Sequence, residues 1–441
     1  MHNLNQLMKI RLLILILLII FSRLLISQSR YKNILISTES EPNELSAAIH
    51  PFDKNYLVLA SNIDGFHYSL DGGLTWNTKK ITNPVYGIWG DPVLVYDTKG
   101  SLYYFHLASS TNHWYDAIVC EKSYDGGITW NDTGVAFGNN PPHMQDKEWA
   151  VCDMTYSPYR NNIYAVWTQC GQDYYESESA TRNPEENAGT NILFSRSDDE
   201  GATWSDMMRI NKKNGTQCSI VEKTVLGATN CIGPNGEVYV TWVSEEGLIF
   251  DKSTDAGMTW LDKDIIVSKI PNGFKLDVPE IYRCFGFPSI SCDQSYGPGK
   301  GNIYISWADQ RNGVYDTDIW FVKSTDNGIT WTSPKRINND VMARHQFFNW
   351  HTIDQSTGYI YIVFYDRRNY EDEETDVYLA KSTDGGETFS NERISQWSFK
   401  PDKSIFFGDY INVTASNGRI RPYWSRLEGT KLSIWTAIID E

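Results

Sequence analysis

Short apolar runs are separated by turn residues along the chain, and pairs of such runs recur several times. The clearest runs are rich in β-branched and aromatic residues, which favour strands, and they lie at residues 162–167, 302–307 and 359–364. A second strand-like segment that ends in aspartate precedes each of them, at residues 149–153, 288–293 and 350–354. No helical periodicity lies between these pairs. The pattern predicts an all-β chain of paired strands.

An eight-residue motif, Ser-x-Asp-x-Gly-x-Thr-Trp, follows the paired strands and occurs six times, with Phe replacing Trp in the last copy. The copies lie at residues 69–76, 123–130, 197–204, 253–260, 324–331 and 382–389. Since the Asp carboxylate can accept backbone N–H bonds and the Gly permits positive φ, the motif predicts a turn between two strands. We expect its aromatic to pack inward from the next strand. The aspartates with this structural role are Asp71, Asp125, Asp199, Asp255, Asp326 and Asp384.

The spacing of the octapeptides defines the architecture. Successive copies are separated by 54, 74, 56, 71 and 58 residues, which fits units of four antiparallel strands, A to D, with the octapeptide in the C–D turn. Such units predict a single β-propeller domain over residues 30–441. Three strand-like segments follow the sixth unit, and the segment at residues 33–37 precedes the first. We predict seven blades, with strands from both termini closing the ring; six blades are the alternative.

The N-terminus and the cysteines suggest export. Lys9 and Arg11 precede an apolar run at residues 12–21, so residues 1–29 are interpreted as a signal peptide, with an uncleaved anchor as the alternative. We therefore expect a secreted or extracytoplasmic protein without stable membrane insertion after cleavage. Export permits disulfides, for which the short-range candidates are Cys218/Cys231 and Cys284/Cys292.

The charge of the chain excludes one class of partner. Its formal net charge is −16, and it contains no run of Lys or Arg, so nucleic acid should be repelled. An apolar fraction of 41% is sufficient for a buried core. We expect a monomer.

The six octapeptides resemble the Asp-box, or bacterial neuraminidase, repeats of the sialidase superfamily, and the resemblance spans the chain after residue 29. Residues 146–149, 307–311 and 408–410 are also similar to segments of exported sialidase-like proteins. The resemblance implies a seven- or six-bladed propeller acting on a glycan or glycoconjugate. Sialidases use a Tyr nucleophile, an Asp acid/base and three arginines. The first of these arginines lies in a Phe/Tyr-Arg-Ile-Pro motif, which is absent here, since no arginine lies between Arg30 and the first octapeptide. This departure argues against sialic acid cleavage.

The topology predicts where a site lies. The A–B and C–D turns share one face, so the B–C and D–A loops should converge on the other face. Glycoside hydrolysis needs two carboxyl groups, or a carboxyl and a Tyr nucleophile. The candidates for these catalytic roles are Asp146, Glu148, Asp409 and Tyr410. The candidates for substrate contacts are Asp91, Arg311, Arg367, Arg368, His345, Trp149 and Trp350.

Structural alternatives accompany these candidates. The Asp-x-Arg and Asp-Arg-Arg sequences around Arg311 and Arg368, at matching positions of adjacent blades, also fit repeat-encoded salt bridges that hold the blades together. His345 also fits local hydrogen bonding, and the tryptophans fit the core. No cofactor is predicted, although rim carboxylates could hold Ca²⁺. A glycoside hydrolase is the leading hypothesis. The alternatives are a non-catalytic glycan- or protein-binding propeller and a polysaccharide lyase that uses His345, Tyr410 and Arg311.

Overall fold

The computed structural model describes residues 29–109, 115–131, 133–140, 143–171, 189–216, 223–341 and 343–441. The predicted signal peptide lies outside the described residues, apart from Ser29. In the described part, twenty-nine strands form seven antiparallel sheets. No described helix is long and apolar enough to cross a membrane.

Six sheets contain four consecutive strands each, and we number them as blades 1 to 6. Blade 1 contains β2 (Ser46–His50), β3 (Asp53–Ser61), β4 (Gly65–Ser69) and β5 (Asn77–Lys80). Blade 2 contains β6 (Val93–Tyr96), β7 (Leu102–Ala108), β8 (Ala117–Ser123) and β9 (Val135–Phe137). Blade 3 contains β10 (Met144–Cys152), β11 (Ile163–Cys170), β12 (Asn191–Ser197) and β13 (Met208–Arg209).

The remaining consecutive blades follow the same order. Blade 4 contains β14 (Leu226–Ile232), β15 (Val238–Ser244), β16 (Gly247–Ser253) and β17 (Ile265–Ser268). Blade 5 contains β18 (Ser289–Cys292), β19 (Ile303–Asp309), β20 (Asp318–Ser324) and β21 (Lys335–Arg336). Blade 6 contains β22 (Gln346–Asp354), β23 (Tyr359–Asp366), β24 (Asp376–Ser382) and β25 (Ser390–Arg393).

Blade 7 joins the two ends of the chain. It contains β26 (Asn412–Ser416), β27 (Arg419–Glu428), β28 (Lys431–Ala437), the short β29 (Ile439–Asp440) and, as its outer strand, β1 (Asn33–Ser37). β1 pairs antiparallel with β28, with Asn33 opposite Ala437. The seven first strands contact one another in sequence, and β26 contacts β2. The predicted seven-bladed propeller with closure by both termini is therefore confirmed, and the six-bladed alternative is wrong.

Each octapeptide forms the turn between the third and fourth strands of its blade. In the first copy, Ser69 Oγ donates to Asp71 Oδ1 at 2.8 Å and accepts from the Gly73 N–H at 2.8 Å. The Thr75 N–H and hydroxyl donate to the two Asp71 oxygens at 2.9 and 2.6 Å. The other five copies repeat these four bonds. The turns thus satisfy their own polar groups.

The octapeptides also join neighbouring blades. Trp260 at the end of the fourth copy packs edge-on against Phe194 of blade 3, with ring centroids 5.0 Å apart. The glycine of the same copy, Gly257, has φ +79°, and a Cβ there would lie 2.2 Å from Phe194 Cζ. Trp331 packs in the same way against Phe250 of blade 4, at 5.1 Å. The glycine therefore provides both the turn conformation and room for an aromatic ring of the preceding blade.

The cysteine pairing differs from the prediction. Cys231, Cys284 and Cys292 are free and buried, so neither Cys218/Cys231 nor Cys284/Cys292 forms. Cys218 itself lies outside the described residues. Cys170, at the end of β11, is disulfide-bonded. The free thiols pack in the apolar core, where cysteine behaves as a small hydrophobic residue.

Candidate functional site

The innermost strands begin on the face opposite the octapeptide turns, and three charged residues at or near the start of these strands have positive φ. Glu44 and Asp91 lie two residues before β2 and β6 and have φ values of 51° and 50°. Lys147 has φ 53° and lies at the β-bulge of β10. This left-handed region costs a non-glycine residue of the order of 1 kcal/mol or more, and such residues cluster at functional sites. Three neighbouring blades thus direct charged side chains to one end of the central channel.

Two adjoining hollows open at this end. They share a wall formed by Glu44, Asp91, Asp146, Cys170 and Arg283. The first hollow also has an apolar side, formed by Leu226, Phe285 and Phe287. The second reaches Trp89 and Tyr115, whose rings meet edge-on at 6.1 Å. A carboxylate-rich wall therefore faces apolar and aromatic surfaces.

Asp91 is the most strongly fixed carboxylate of the wall. The Lys147 N–H donates to its Oδ2 at 3.1 Å, and the Tyr410 hydroxyl donates to its Oδ1 at 3.2 Å. Its own N–H donates to Asn62 Oδ1 at 2.8 Å, and the Asn62 amide also donates to Glu44. Donors on both oxygens stabilise an ionised carboxylate. Asp91 is therefore held in place by hydrogen bonds to Asn62, Lys147 and Tyr410.

The neighbours of Asp91 keep their protons to unusually high pH. Burial and the charge of Asp91 raise the pKa of Asp146 to about 7. Burial, followed by the charges of Asp91 and Asp409, raises the pKa of Glu44 well above its ordinary value. Asp146 is partly exposed to the hollow, whereas Glu44 is buried. Glu44 and Asp146 therefore retain their protons more strongly than exposed carboxyls do.

An ion pair spans the mouth of the hollows. The Arg283 guanidinium donates to both oxygens of Asp409, with Nη2 at 2.6 Å from Oδ2 and Nε at 3.0 Å from each oxygen. Arg283 also lies over the Phe406 ring at 4.6 Å. Burial acts to lower its pKa, but Asp409, Glu44 and Asp146 raise it on balance. Burial raises the pKa of Asp409 despite this arginine.

Aromatic rings close the channel beneath the hollows around a buried lysine. The Lys147 ammonium lies 3.9 Å from the centre of the Tyr410 ring and 5.1 Å from that of Trp149, and it has no hydrogen-bond partner. Trp149 and Trp350 occupy equivalent positions after the bulges of β10 and β22, and their ring centroids are 4.4 Å apart. These contacts support the core role for both tryptophans. Burial lowers the pKa of Lys147.

Glu148 lies in the same bulge but does not line the hollows. Its side chain is buried, and neither carboxylate oxygen has a hydrogen-bond partner. Burial, followed by the charge of Asp91, raises its pKa well above the ordinary value. Burial likewise raises the pKa of Tyr410. Both candidates therefore lie next to the site, in their neutral forms, rather than on its open wall.

The structure does not bring four of the predicted substrate contacts to the hollows. Arg311 pairs with Asp309 at 2.5 Å, and Arg368 pairs with Asp366 at 2.6 Å. The salt bridges thus recur at the same position of blades 5 and 6, but each pair lies within its own turn and does not itself join two blades. The Arg367 guanidinium donates to the Pro279 carbonyl at 2.8 Å.

His345 is likewise turned away from the hollows. It is buried, and its Nδ1 lies 2.9 Å from Thr317 Oγ1. Burial lowers its pKa to about 4. None of these four side chains lines either hollow.

Two important residues of the site were not among the sequence candidates. Glu44 lies in the acidic segment at residues 39–44, which has the composition of a solvated loop. Its position two residues before an innermost strand, like that of Asp91, could have identified it. Arg283 comes from the long loop between β17 and β18. Among the described residues, no group of three or more His, Cys, Asp or Glu side chains could hold a metal ion.

Comparisons with known proteins extend only to the fold. No family model matches the sequence, and no curated protein matches it. A protein of unknown function from Dyadobacter fermentans DSM 18053 superposes with a TM-score of 0.52 at 12% identity, over 94% of this chain and all of the other. The ulvan lyase of polysaccharide lyase family PL25 superposes with a TM-score of 0.51 at 11% identity, over 94% of each chain.

Structural neighbours also include sialidases. The Hadza microbial sialidase Hz136 superposes with a TM-score of 0.47 at 14% identity, over 87% of this chain and 73% of the other. At such low identity these similarities show the propeller fold alone. The function therefore has to be argued from the site.

Proposed function

We propose that the protein is a glycoside hydrolase whose reaction takes place in the carboxylate-walled hollows. The observation that carries the proposal is the pair formed by Asp146 and Asp91. Asp146 has a pKa raised to about 7 and faces the hollow, and Asp91 is held in place by two hydrogen-bond donors. Glycoside hydrolysis uses a protonated acid together with a second carboxyl group, and Asp146 hydrogen-bonds to Asp91 in the structure, so the two must separate around a bound sugar.

Asp146 is assigned as the general acid. A pKa of about 7 leaves a substantial protonated fraction at neutral pH while keeping the proton acidic enough to transfer to the glycosidic oxygen. Its partly exposed position at the junction of both hollows gives access to a bond that spans them. The bulge in β10 sets this orientation.

Asp91 is assigned as the second carboxylate, which attacks the sugar or activates water. The Lys147 N–H and the Tyr410 hydroxyl hold its two oxygens, so Tyr410 acts as a positioning residue in this scheme. Arg283 holds Asp409 at the mouth, where the pair can hydrogen-bond to sugar hydroxyls. Phe285, Phe287 and Trp89 offer apolar faces to sugar rings.

The test is turnover by the purified chain on a panel of neutral glycosides, amino-sugar glycosides, sialosides and uronic polysaccharides. Asp146→Asn and Asp91→Asn should abolish turnover without unfolding the protein. Asp199→Asn, in the same blade as Asp146 but in an octapeptide turn, is the matched control and should keep full activity.

Two results would overturn the proposal. The first is absence of turnover on every glycan class, which would favour the non-catalytic binding propeller. The second is release of products with an unsaturated sugar, detected by ultraviolet absorbance, which would indicate a lyase.

A further inference from the structure

Two of the seven blades carry a second repeated sequence, which connects their first and second strands. Residues 153–162 of blade 3 and 293–302 of blade 5 both have the pattern Asp-x-Ser/Thr-Tyr-x-Pro-x-Arg/Lys-x-Asn. Each of these loops contains ten residues, whereas the corresponding connections of the other five blades contain two to five. Both loops lie on the octapeptide face. Their length is therefore a special feature of two blades and not a requirement of the fold.

The two loops fold in the same way, and several of their shared residues hold the loop itself. In blade 5, the Gly301 N–H donates to the Asp293 carbonyl at 2.7 Å, and the Ser295 N–H donates to the Asp293 carboxylate at 2.8 Å. Blade 3 repeats both bonds at the equivalent positions. The aspartate is buried in both loops. These contacts fix the backbone from which the shared tyrosine projects.

The tyrosine is the member of the pattern that projects from the protein. Tyr156 is 89% exposed and Tyr296 is 93% exposed, although tyrosine is usually partly buried in folded proteins. The basic residue four positions later lies against each ring. Arg160 Cζ is 4.5 Å from the centre of the Tyr156 ring, and Lys300 Nζ is 5.4 Å from that of Tyr296. A cation on one face restrains the ring and leaves its other face to solvent.

The two loops flank the shorter turn of blade 4, at residues 233–237. A Cβ at Gly236 of this turn would lie 2.5 Å from Ser157 Oγ of the blade 3 loop. On the other side, the Gln294 amide of the blade 5 loop donates to the Ile232 carbonyl at 2.7 Å. The two exposed tyrosines therefore belong to loops that are neighbours across one short turn.

A polar hollow adjoins the Tyr296 loop on its other side, between blades 5 and 6. Its charged groups have local partners: Lys323 pairs with Glu387, and Asp384 accepts two hydrogen bonds from its own turn. Its wall also carries side-chain hydroxyls from both blades, those of Ser295, Thr357 and Thr383. An exposed aromatic ring thus lies beside a wall of hydroxyls and paired charges.

We propose that this surface binds a neutral polysaccharide chain, with sugar rings stacked on Tyr296 and Tyr156 and sugar hydroxyls hydrogen-bonded in the adjoining hollow. A sugar ring presents an apolar face of C–H groups and a rim of hydroxyls. An exposed aromatic ring next to hydroxyl and ammonium groups matches both parts. The surface lies on the face opposite Asp146, so this inference does not depend on the proposed hydrolase function.

The charge of this face selects against an anionic chain. The six octapeptide aspartates lie on it, and each accepts an N–H bond from its own turn, which favours the ionised carboxylate. Arg160 and Lys300 supply one cation to each loop. A chain of uronic or sulfated sugars would therefore meet more negative than positive charge. A neutral chain meets no such repulsion.

The experiment is affinity electrophoresis of the full chain in native gels that contain laminarin, galactomannan, xyloglucan or soluble starch, with alginate and polygalacturonate as anionic polymers. The net charge of −16 carries the protein towards the anode. At least one neutral polymer should retard the wild-type chain. Tyr296→Ala should weaken this binding about tenfold, and the double substitution of Tyr156 and Tyr296 by Ala should abolish it.

Two further variants show whether the aromatic ring itself is responsible. Tyr296→Phe keeps the ring and should keep most of the binding. Tyr315→Ala is the matched control, because Tyr315 is 76% exposed in the same blade but lies in a loop on the opposite face. It should bind as the wild type does. All of these variants should keep the wild-type Tm, since the substituted side chains are exposed.

Retardation by none of the neutral polymers, stronger retardation by an anionic polymer, or equal retardation of the wild type and the double variant would each overturn the proposal. Binding that is lost in Asp146→Asn but kept in the double variant would place the polysaccharide in the hollows and overturn it as well. Turnover of a glycan without retardation would overturn this inference and leave the hydrolase function standing. Retardation that depends on the two tyrosines, without turnover of any glycan, would support this inference and overturn the hydrolase.

Discussion

The two faces of the propeller use aspartate in opposite ways, and blade 3 contains both. On the octapeptide face, Asp199 receives hydrogen bonds from the Thr203 N–H, the Thr203 hydroxyl and the Ser197 hydroxyl. Although burial acts against its charge, these donors hold its pKa below the ordinary value. On the opposite face, Asp146 lies beside Asp91, and burial with that charge raises its pKa to about 7.

The comparison shows how one scaffold separates stability from function. A carboxylate whose partners lie within five residues of sequence stabilises a local turn. Where several blades converge, carboxylates lie close to one another and repel. The stability of the rest of the fold compensates for this repulsion. The predictions below test this difference from the largest effect to the smallest.

The largest effect is expected for catalysis by Asp146→Asn. Removal of a general acid typically lowers the rate by about 10²- to 10⁴-fold. The measurement is kcat on whichever glycan the wild-type chain hydrolyses, with Asp199→Asn assayed in parallel. Retention of more than a tenth of the wild-type kcat by the folded Asp146→Asn variant would contradict the assigned role.

The pH dependence of activity should follow the same group. Because Asp146 must be protonated to act as an acid, kcat/KM should fall as the pH rises through about 7. Asp409→Asn removes one of the charges that raise this pKa, so it should move the alkaline limb to lower pH. An alkaline limb that is unchanged in that variant would argue that another group controls it.

Two glycines with nearly equal φ test whether the fourth octapeptide packs against the preceding blade. One lies in that octapeptide and the other lies in the loop after β17. Gly257 has φ +79° and lies against Phe194, whereas Gly273 has φ +78° and a Cβ there would have no atom within 4 Å. Both substitutions to Ala incur left-handed strain of about 1 kcal/mol. Gly257→Ala should lower the free energy of unfolding by a further 1–3 kcal/mol, roughly the cost of overpacking. Equal losses in urea denaturation would show that the blades are not joined through this contact.

The substitution Asp146→Asn should raise the free energy of unfolding above neutral pH, although it should lower activity. Folded Asp146 keeps its proton to about pH 7, whereas the unfolded chain releases it near pH 4, roughly the ordinary value for Asp. The folded state therefore binds more protons in this window, and its contribution to stability falls as the pH rises from about 4 to 7. Asp146→Asn should be more stable than wild type at pH 8, by on the order of 1–3 kcal/mol, and nearly equal at pH 4. A variant that is less stable at pH 8 would contradict the repulsion.

The smallest effect is expected for Asp199→Asn. Its lowered pKa means that its stabilising contribution is present at neutral pH and is lost as the pH falls below about 4. Because the turn is exposed, the loss at pH 7 should be about 1 kcal/mol or less. Urea denaturation at pH 7 and at pH 3 measures it; a loss that grows on acidification would be inconsistent with this account.

Most of the fold was predictable because its information is local and repeated. Each octapeptide encodes its own turn, and the strand pattern around it gives four strands per blade. Even the closure by β1 was predictable, because the last unit lacked its fourth strand and the strand-like segment at residues 33–37 belonged to no other unit. The cysteine pairs were predicted wrongly because spacing along the sequence does not reveal that Cys231 and Cys292 lie in the core.

The site was only partly predictable because its information is not repeated. Topology alone placed Asp91, Asp146 and Asp409 at one end of the channel. It could not show that Arg311 and Arg368 would be neutralised within their own turns, since a recurring Asp-x-Arg sequence fits either role. Arg283 reaches the site from the loop between β17 and β18, where no sequence motif marked it as a site residue.

The most direct test of the central claim is a carboxyl ¹³C NMR titration of the aspartates, with Asp146 and Asp199 assigned by comparison with their Asn variants. The account predicts that Asp146 titrates near pH 7 and that Asp199 titrates below its ordinary value of 3.8. Titration of both residues near pH 4 would contradict it, because the two faces would then provide the same environment.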